Sequence, residues 1–167
     1  MLKSKTPNYS KTTVSILSRP QHVNFGGNVY GGFILQEADS VAYICAARHS
    51  GKYCVTASVD AVDFHQPVEI GNVLTFKALI NFVHETSMEV GVRVEAENPK
   101  TKKKFHVATC YFAMVAVDEE FKPVKVPKLV LKNADDKRRF KEGKKRRELR
   151  LKRISKRNRN GRQQMEQ

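Results

Sequence analysis

Residues 24–49 have the sequence NFGGNVYGGFILQEADSVAYICAARH, in which a glycine-rich loop leads directly into an apolar segment. The apolar side chains of that segment recur every three to four residues, at Ile34, Ala38, Val41, Ala42 and Cys45. This spacing is typical of one face of an α-helix, so we predict a helix from about residue 32 to residue 49. Gly51 follows at a position where helices commonly end.

The start of this helix has the parts that an acyl-transfer or hydrolysis site needs. Gly31 and Gly32 let backbone N–H groups approach a ligand closely, where the helix dipole favours negative charge. Asn28 adds a polar amide and Asp39 a carboxylate that packing on the apolar stripe would make more basic. The structural alternatives are a turn asparagine, a tight turn before a helix, and an aspartate in a structural hydrogen bond.

Beyond the helix, apolar residues recur at every second position, a spacing that indicates β-strands. From Met88 to Ala96 apolar residues alternate strictly with polar residues and glycine, and we predict further strands at 11–18, 55–59, 73–83 and 105–117. Short links favour antiparallel pairing. We therefore expect an α+β fold, with a five-stranded antiparallel sheet wrapped around one long central helix, and apolar sheet edges that favour a dimer.

The positive charge is concentrated at the C-terminus. From Lys132 onward the chain has sixteen Lys or Arg and five acids, a net +11, whereas residues 1–131 have fifteen bases and twelve acids, a net +3. We expect a domain over residues 8–130 and a basic tail over residues 131–167 that is mobile or transiently helical.

Composition excludes several other classes. Cys45, Cys54 and Cys110 form no CxxC pair and lie in apolar segments, as reduced thiols of a cytoplasmic protein do. We expect no transmembrane segment, because no apolar run approaches ~18 residues. The five histidines lack metal-ligand spacing, and there is no Gly-x-Ser-x-Gly elbow, so a metal site and a serine-hydrolase mechanism are unsupported.

Motifs spread over residues 8–130 together resemble the hotdog-fold acyl-CoA thioesterases, especially the YciA-type and brain acyl-CoA hydrolase enzymes. They are Gly27-Asn28-Val29-Tyr30-Gly31-Gly32, Asp39, Ala47-Arg48-His49, Val55-Thr56-Ala57-Ser58-Val59-Asp60, Asp63-Phe64, Pro67-Val68, Gly71-Asn72, Thr86-Ser87-Met88, Phe112-Ala113-Met114-Val115-Ala116-Val117-Asp118 and Val126-Pro127. The basic tail lies outside this resemblance.

The resemblance implies an acyl-CoA thioester hydrolase that releases free CoA and a carboxylic acid, with no cofactor besides the CoA of its substrate. It implies a dimer, commonly assembled as a trimer of dimers, with active sites at the dimer interface. Asn28 of one subunit would orient water or the thioester carbonyl, and Asp39 of the other would act as general base or nucleophile. Gly31 and Gly32 would be oxyanion donors.

The same resemblance places Thr86 and Ser87 near the bound thioester or pantetheine, where turn chemistry is the alternative role. Arg48, Arg93 and the run from Lys102 to Lys104 are candidates for the CoA phosphates, with ordinary surface charge as the favoured role of each.

A second hypothesis treats the protein as an acyl-CoA-binding sensor whose basic tail binds nucleic acid. Its motivation is the tail's +11 charge, which would give salt-dependent phosphate binding. A plain solubility segment or a contact with an anionic membrane surface are the alternatives for the tail.

Overall fold

The computed structural model describes the backbone of residues 2–165 and the side chains of residues 2–157. The elements in chain order are α1 (Pro7–Ser10), β1 (Thr12–Leu17), a short 3-10 turn (Pro20–His22), α2 (Gly31–Ser50), β2 (Tyr53–Phe64), β3 (Val73–Val83), β4 (Ser87–Glu97), β5 (Lys104–Val117) and α3 (Ala134–Met165). The strands form one antiparallel sheet in the order β1-β3-β4-β5-β2. The predicted fold class, five strands around a long helix, is confirmed.

Helix α2 packs along the inner face of the sheet, and all five strands contact it. Ala38, Ala42 and Ala46 are completely buried, and their small side chains let the helix approach the strands closely. The helix ends as predicted, because Gly51 adopts the left-handed conformation with φ 69° and donates its N–H to Ala47. This packing fixes where the two ends of α2, and therefore its functional groups, lie on the sheet.

The tail differs from the expectation of a mobile or transiently helical segment, because residues 134–165 form the single helix α3. Asn133 caps this helix by accepting the N–H of Asp136 at 2.8 Å. Asp135 accepts hydrogen bonds from Arg138 and Arg139 one turn later, and these bonds hold the pKa of its carboxyl below the ordinary value. The high charge obscured these helix signals at the sequence level.

The first half of α3 packs on the outer face of the sheet. The rings of Phe140 and Phe82 lie 4.8 Å apart, and Arg146 pairs with the Glu89 carboxylate at 2.7 Å. Glu89 is only 1 % exposed, and Asn81 donates a further hydrogen bond to it. Burial by itself lowers the pKa of the Arg146 guanidinium, but its hydrogen bond to Glu89 raises it overall. A buried ion pair therefore anchors the helix.

Strand β2 forms one free edge of the sheet. Tyr53, Val59 and Phe64 on this strand are exposed large apolar side chains. Such an edge matches the expected dimerisation surface. Among the described residues no helix is long and apolar enough to cross a membrane.

Candidate active site

A pocket of about 370 Å³ opens beside the N-terminus of α2. Two loops form its walls, the glycine-rich loop before α2 and the segment that follows β2. Asn24, Asn28 and Gly31 line it on one side, and Phe64 and His65 on the other. The two loops are tied together because Val29 donates its backbone N–H to Val68 at 2.8 Å. Asn28 and Gly31, two of the residues singled out in the sequence, thus lie together at this pocket.

The first backbone donors of α2 are available to a ligand. Tyr30, at the N-cap, provides no side-chain cap, and the N–H groups of Gly31 and Gly32 meet no acceptor among the described residues. A Cβ atom on Gly31 would lie 3.1 Å from the Phe64 ring, so a side chain here would crowd the pocket wall. Both features fit a helix terminus that receives developing negative charge.

The glycine-rich loop is organised by Asn24, a residue that the sequence analysis did not select. Its Oδ1 accepts the backbone N–H groups of Gly26 at 2.9 Å and of Asn28 at 3.1 Å. Its Nδ2 has no acceptor among the described residues, so this amide remains free to donate to a ligand. Asn28 uses its own Nδ2 in a long 3.4 Å bond to the Gly26 carbonyl. Both Asn24 and Asn28 are therefore candidates for the positioning role that the sequence analysis assigned to Asn28.

Asp39 lies two turns further along α2, half-buried, and does not line this pocket. Its Oδ1 accepts the hydroxyl hydrogen bond of Thr56 on β2 at 2.7 Å. The Thr56 hydroxyl is also 3.4 Å from the sulfur of Met114 on β5. The carboxylate thus has a fixed orientation, but the chain does not bring it to the pocket that holds Asn28.

Thr86 and Ser87 lie at the β3–β4 turn, near the opposite end of the sheet from the pocket. Ser87 is in register with Val115, whereas the pocket residue Phe64 is in register with Ala108, seven residues along the same strand. The Thr86 carbonyl accepts the backbone N–H of Ala116. The chain therefore does not place these two residues beside Asn28.

The two arginine candidates are already engaged in protein contacts. Arg48, at the C-terminal end of α2, donates to the Thr12 hydroxyl at 3.1 Å. Arg93 pairs with Glu95 on the outer face at 2.8 Å, and Lys77 and Arg93 hold the pKa of the Glu95 carboxyl below its ordinary value. Neither arginine lines the pocket. In the part of the chain that is described, no cluster of His, Cys, Asp or Glu is arranged to hold a metal ion.

A long helix held against an antiparallel sheet, with unpaired N–H groups at the helix start beside a polar pocket, defines the hotdog class of acyl-transfer and hydrolytic domains. Residues 26–103 match the sequence model of the thioesterase superfamily. The chain belongs to this superfamily and is an enzyme of the thioesterase type, which confirms the resemblance seen in the sequence.

Curated relatives extend the match over most of the chain. Protein VdlD of Helicobacter pylori (strain ATCC 700392 / 26695) is 43% identical over 145 residues, which cover 87% of this chain and 83% of VdlD. The cytosolic acyl coenzyme A thioester hydrolase of Rattus norvegicus is 38% identical over 141 residues, or 83% of this chain. The match spans only 37% of that longer rat protein.

Solved structures share the whole architecture. An apo-hexameric acyl-CoA thioesterase superposes with a TM-score of 0.88 at 33% identity, covering 92% of this chain and 98% of its own. The acyl-CoA hydrolase of Staphylococcus aureus was solved with butyryl coenzyme A, coenzyme A and coenzyme A disulfide. It superposes with a TM-score of 0.87 at 30% identity, covering 94% of this chain and 96% of its own. The same enzyme has been solved as separate alanine mutants of an aspartate, an asparagine and a threonine.

These superpositions also correct one inference about the tail. Residues 1–131 make up 131 of 167 residues, or about 78% of the chain, so a superposition covering 94% of it must include part of the tail. The tail, which lies outside the resemblance in the sequence motifs, therefore has a structural counterpart in this relative.

Proposed function

We propose that this protein hydrolyses acyl-CoA thioesters to free CoA and a carboxylic acid, at a site to which two copies of the chain contribute. The observation that carries the proposal is that one helix has two functional features. The backbone N–H groups of Gly31 and Gly32 are unpaired among the described residues, and the Asp39 carboxylate is oriented by a hydrogen bond from the Thr56 hydroxyl. Membership of the thioesterase superfamily and the coenzyme A bound in the S. aureus relative support it.

Asp39 is the group that activates water. The Thr56 hydrogen bond leaves the other carboxylate oxygen without a donor among the described residues, and that oxygen accepts a proton from water as the water attacks the thioester carbonyl carbon. The C–S bond then breaks, the CoA thiolate leaves, and the proton returns to the sulfur. In the nucleophilic variant the same oxygen attacks the thioester carbonyl carbon, the C–S bond breaks and CoA leaves as the thiolate, which then takes up a proton. Water hydrolyses the resulting mixed anhydride to the free carboxylic acid and the Asp39 carboxylate.

The start of α2 stabilises the charge that develops on the thioester oxygen. The N–H groups of Gly31 and Gly32 point along the helix axis toward its N-terminal end, where the helix dipole also favours an anion. Removing one oxyanion donor typically costs about 100-fold or more in turnover.

The positioning amide is better supplied by Asn24 than by Asn28. In the S. aureus enzyme the altered asparagine lies 15 positions before the altered aspartate, and the altered threonine 17 positions after it. Asn24, Asp39 and Thr56 have these same spacings, whereas Asn28 lies 11 positions before Asp39. The free Nδ2 of Asn24 supports the same choice.

A second copy completes the site. Asp39 does not line the Asn24 pocket within one chain, and β2, which carries both the Asp39 partner Thr56 and the pocket residue Phe64, is a free edge. Antiparallel pairing of two β2 edges places the Thr56 end of one strand beside the Phe64 end of the other. The protein then forms a dimer, and the hexameric acyl-CoA thioesterase relative supports a trimer of dimers.

The first experiment measures release of free CoA thiol across acyl chains from two to sixteen carbons. Wild type is compared with Asp39→Asn, Asn24→Ala and Asn28→Ala. We expect Asp39→Asn to lose about 100-fold or more of kcat, and Asn24→Ala to lose more than Asn28→Ala. Full turnover in Asp39→Asn would refute the mechanism, and the reverse order of the two asparagines would restore the role to Asn28.

Mixed oligomers test the two-copy site directly. A dimer of one Asp39→Asn chain and one Asn24→Ala chain retains one intact site only if the two groups come from different copies. Random mixing then restores about a quarter of wild-type activity, because half the dimers are mixed and each has one site of two. No rescue in co-expressed mixtures would mean that the site lies within one chain.

The same assay distinguishes the sensor hypothesis from thioester hydrolysis. Bound CoA without turnover on any acyl chain would favour a binding module, and nucleic-acid binding by the tail would then be measured against salt concentration.

A further inference from the structure

Helix α3 crosses the outer face of the sheet in a regular series of contacts. Phe140 packs on Phe82 of β3, and Arg146 pairs with Glu89 of β4 at 2.7 Å. The Arg146 guanidinium also lies 3.8 Å from the ring centroid of Tyr111 on β5. The strands are touched in their order in the sheet, and from Phe140 to Arg150 the helix advances on average by about one strand per turn.

The last contact of the series is at the free edge. Arg150 pairs with Asp60 of β2 at 2.6 Å, and the two side chains are only 10% and 11% exposed. From Phe140 to Arg150 the helix rises about 15 Å, and three strand spacings amount to about 14 Å. The helix therefore runs nearly perpendicular to the strands and leaves the sheet at Asp60.

The contact face of α3 continues beyond this edge. The helix backbone extends fifteen residues past Arg150, to Met165, and every described side chain from 151 to 157 is exposed. Ile154 follows Arg150 by four residues and Gly143 by eleven, so it lies on the face that packs on the sheet. This isoleucine is 46% exposed, a large apolar side chain left partly open to solvent on the docking face.

The outer face of β2 offers matching charge. Asp63 is exposed and in register with Thr109, a residue that lines the cleft under α3. Among the described residues Asp63 forms no hydrogen bond or ion pair. Residues 150–157 include five Lys or Arg and no acid. A second sheet joined at β2 would place a second Asp63 under this basic segment, while the second Asp60 stays paired with Arg150 and Arg153 of its own chain.

We propose that residues 151–157 of α3 pack across the β2 edge onto the outer face of a second copy of this chain, so that the two α3 helices bridge the junction between the sheets. Ile154 provides the apolar contact, and Arg157 lies over the second copy's acidic β2 face, whereas Arg153 remains 3.7 Å from Asp60 of its own chain. This inference rests on the β2 pairing of the proposed function, but it concerns the outer face and requires no catalysis.

Self-association measured by light scattering over a concentration series tests the proposal. Ile154→Asp places a charge in the proposed interface, and we expect its dissociation constant to rise about tenfold or more. Leu149→Asp is the matched control, because Leu149 is 56% exposed and lies about 140° from Ile154 around the helix. Unchanged association in Ile154→Asp, with its helical circular dichroism intact, would overturn the proposal.

A spin label tests whether a second copy of the chain covers this face of α3. The native cysteines are all buried, so a label attaches selectively to Ile154→Cys or to the control Leu149→Cys. We expect the label at 154 to be immobilised in the oligomer alone and the label at 149 to be mobile. Equal mobility at both positions, or immobilisation at 154 only after adding RNA or anionic lipid vesicles, would show that a second copy does not cover this face.

Discussion

Two long helices pack on opposite faces of the same sheet, and different forces hold them. Helix α2 on the inner face is held by an apolar stripe that includes fully buried Ala38, Ala42 and Cys45. Helix α3 on the outer face is held mainly by ion pairs from Arg146 and Arg150, with one aromatic contact. A stripe of apolar residues is visible in a sequence, whereas a stripe of arginines resembles a solvated surface until its acidic partners are located.

Because different forces hold the two helices, the loss of each should affect the folded domain differently. The inner helix supplies part of the domain core and carries the candidate residue Asp39, so its loss should unfold the domain. The outer helix adds a clamp over a sheet that is already complete, so its loss should release the helix and leave the body folded. Three measurements test this division, each at fixed protein concentration because association stabilises the folded state.

The largest effect is expected from the inner face. Phe112 on β5 is fully buried in the core beneath α2. Phe112→Ala removes this ring and leaves a cavity, so we expect the free energy of unfolding in urea to fall by about 3–5 kcal/mol. Phe25→Ala makes the same change at a fully exposed ring and should alter stability by about 0.5 kcal/mol or less. Equal losses at the two sites would contradict the assigned core.

A smaller, local effect is expected on the outer face. Arg146→Ala leaves the Glu89 carboxylate buried without its cation, a change that costs about 3–5 kcal/mol if the helix stays docked. The variant avoids this cost if α3 undocks and exposes Glu89 to water. We therefore expect faster tryptic cleavage within α3, and a nearly unchanged urea transition for the rest of the domain.

Two variants control this measurement. Arg147→Ala, which removes only a 3.3 Å contact with His84, should be cleaved like wild type. Replacing both Glu89 and Arg146 with Leu should restore protection, because no unpaired charge remains buried. Wild-type cleavage of Arg146→Ala would show that the ion pair does not hold the helix.

The smallest effect concerns pH and the C-terminal end of α2. Burial lowers the pKa of His49 below 6.5, while its ring nitrogen lies 3.0 Å from the Pro127 carbonyl and Lys5 adds a nearby positive charge. The folded state therefore keeps this imidazole neutral, while the unfolded chain binds a proton below pH 6.5. Its contribution to stability is present above pH 6.5 and is lost as pH falls from there, by at most ~1.4 kcal/mol per pH unit.

His49→Gln isolates this contribution, because glutamine can still donate to Pro127 but does not titrate. We expect the urea midpoint of wild type to fall more between pH 7.5 and pH 5.5 than that of the variant. Burial also lowers the pKa of His106, so His106→Gln serves as the comparison. Parallel pH profiles for wild type and His49→Gln would exclude the buried histidine as the cause.

The body of the fold could be predicted because each of its elements has a strong local pattern. Alternation in β4 and the apolar spacing of α2 follow from one buried face per element, and the structure confirms both. The candidate site was predicted less completely. Asn28, Gly31 and Asp39 lie in conspicuous motifs, but the loop-organising role of Asn24 depends on hydrogen bonds to residues two and four positions later. Such bonds leave no periodic signal.

The sequence by itself determined the five strands, the long α2 and the polar helix start, because these depend on local periodicity and on glycine positions. The class of the protein was indicated by the resemblance of its motifs to a known family. Only the tertiary structure decided that Asp39 is oriented by Thr56, that Asp39 lies apart from the Asn28 pocket, and that the basic tail is a docked helix. The physical reason is that ion pairs and hydrogen bonds join residues far apart in the chain. The Glu89–Arg146 pair spans 57 positions, and neither residue alone indicates its partner.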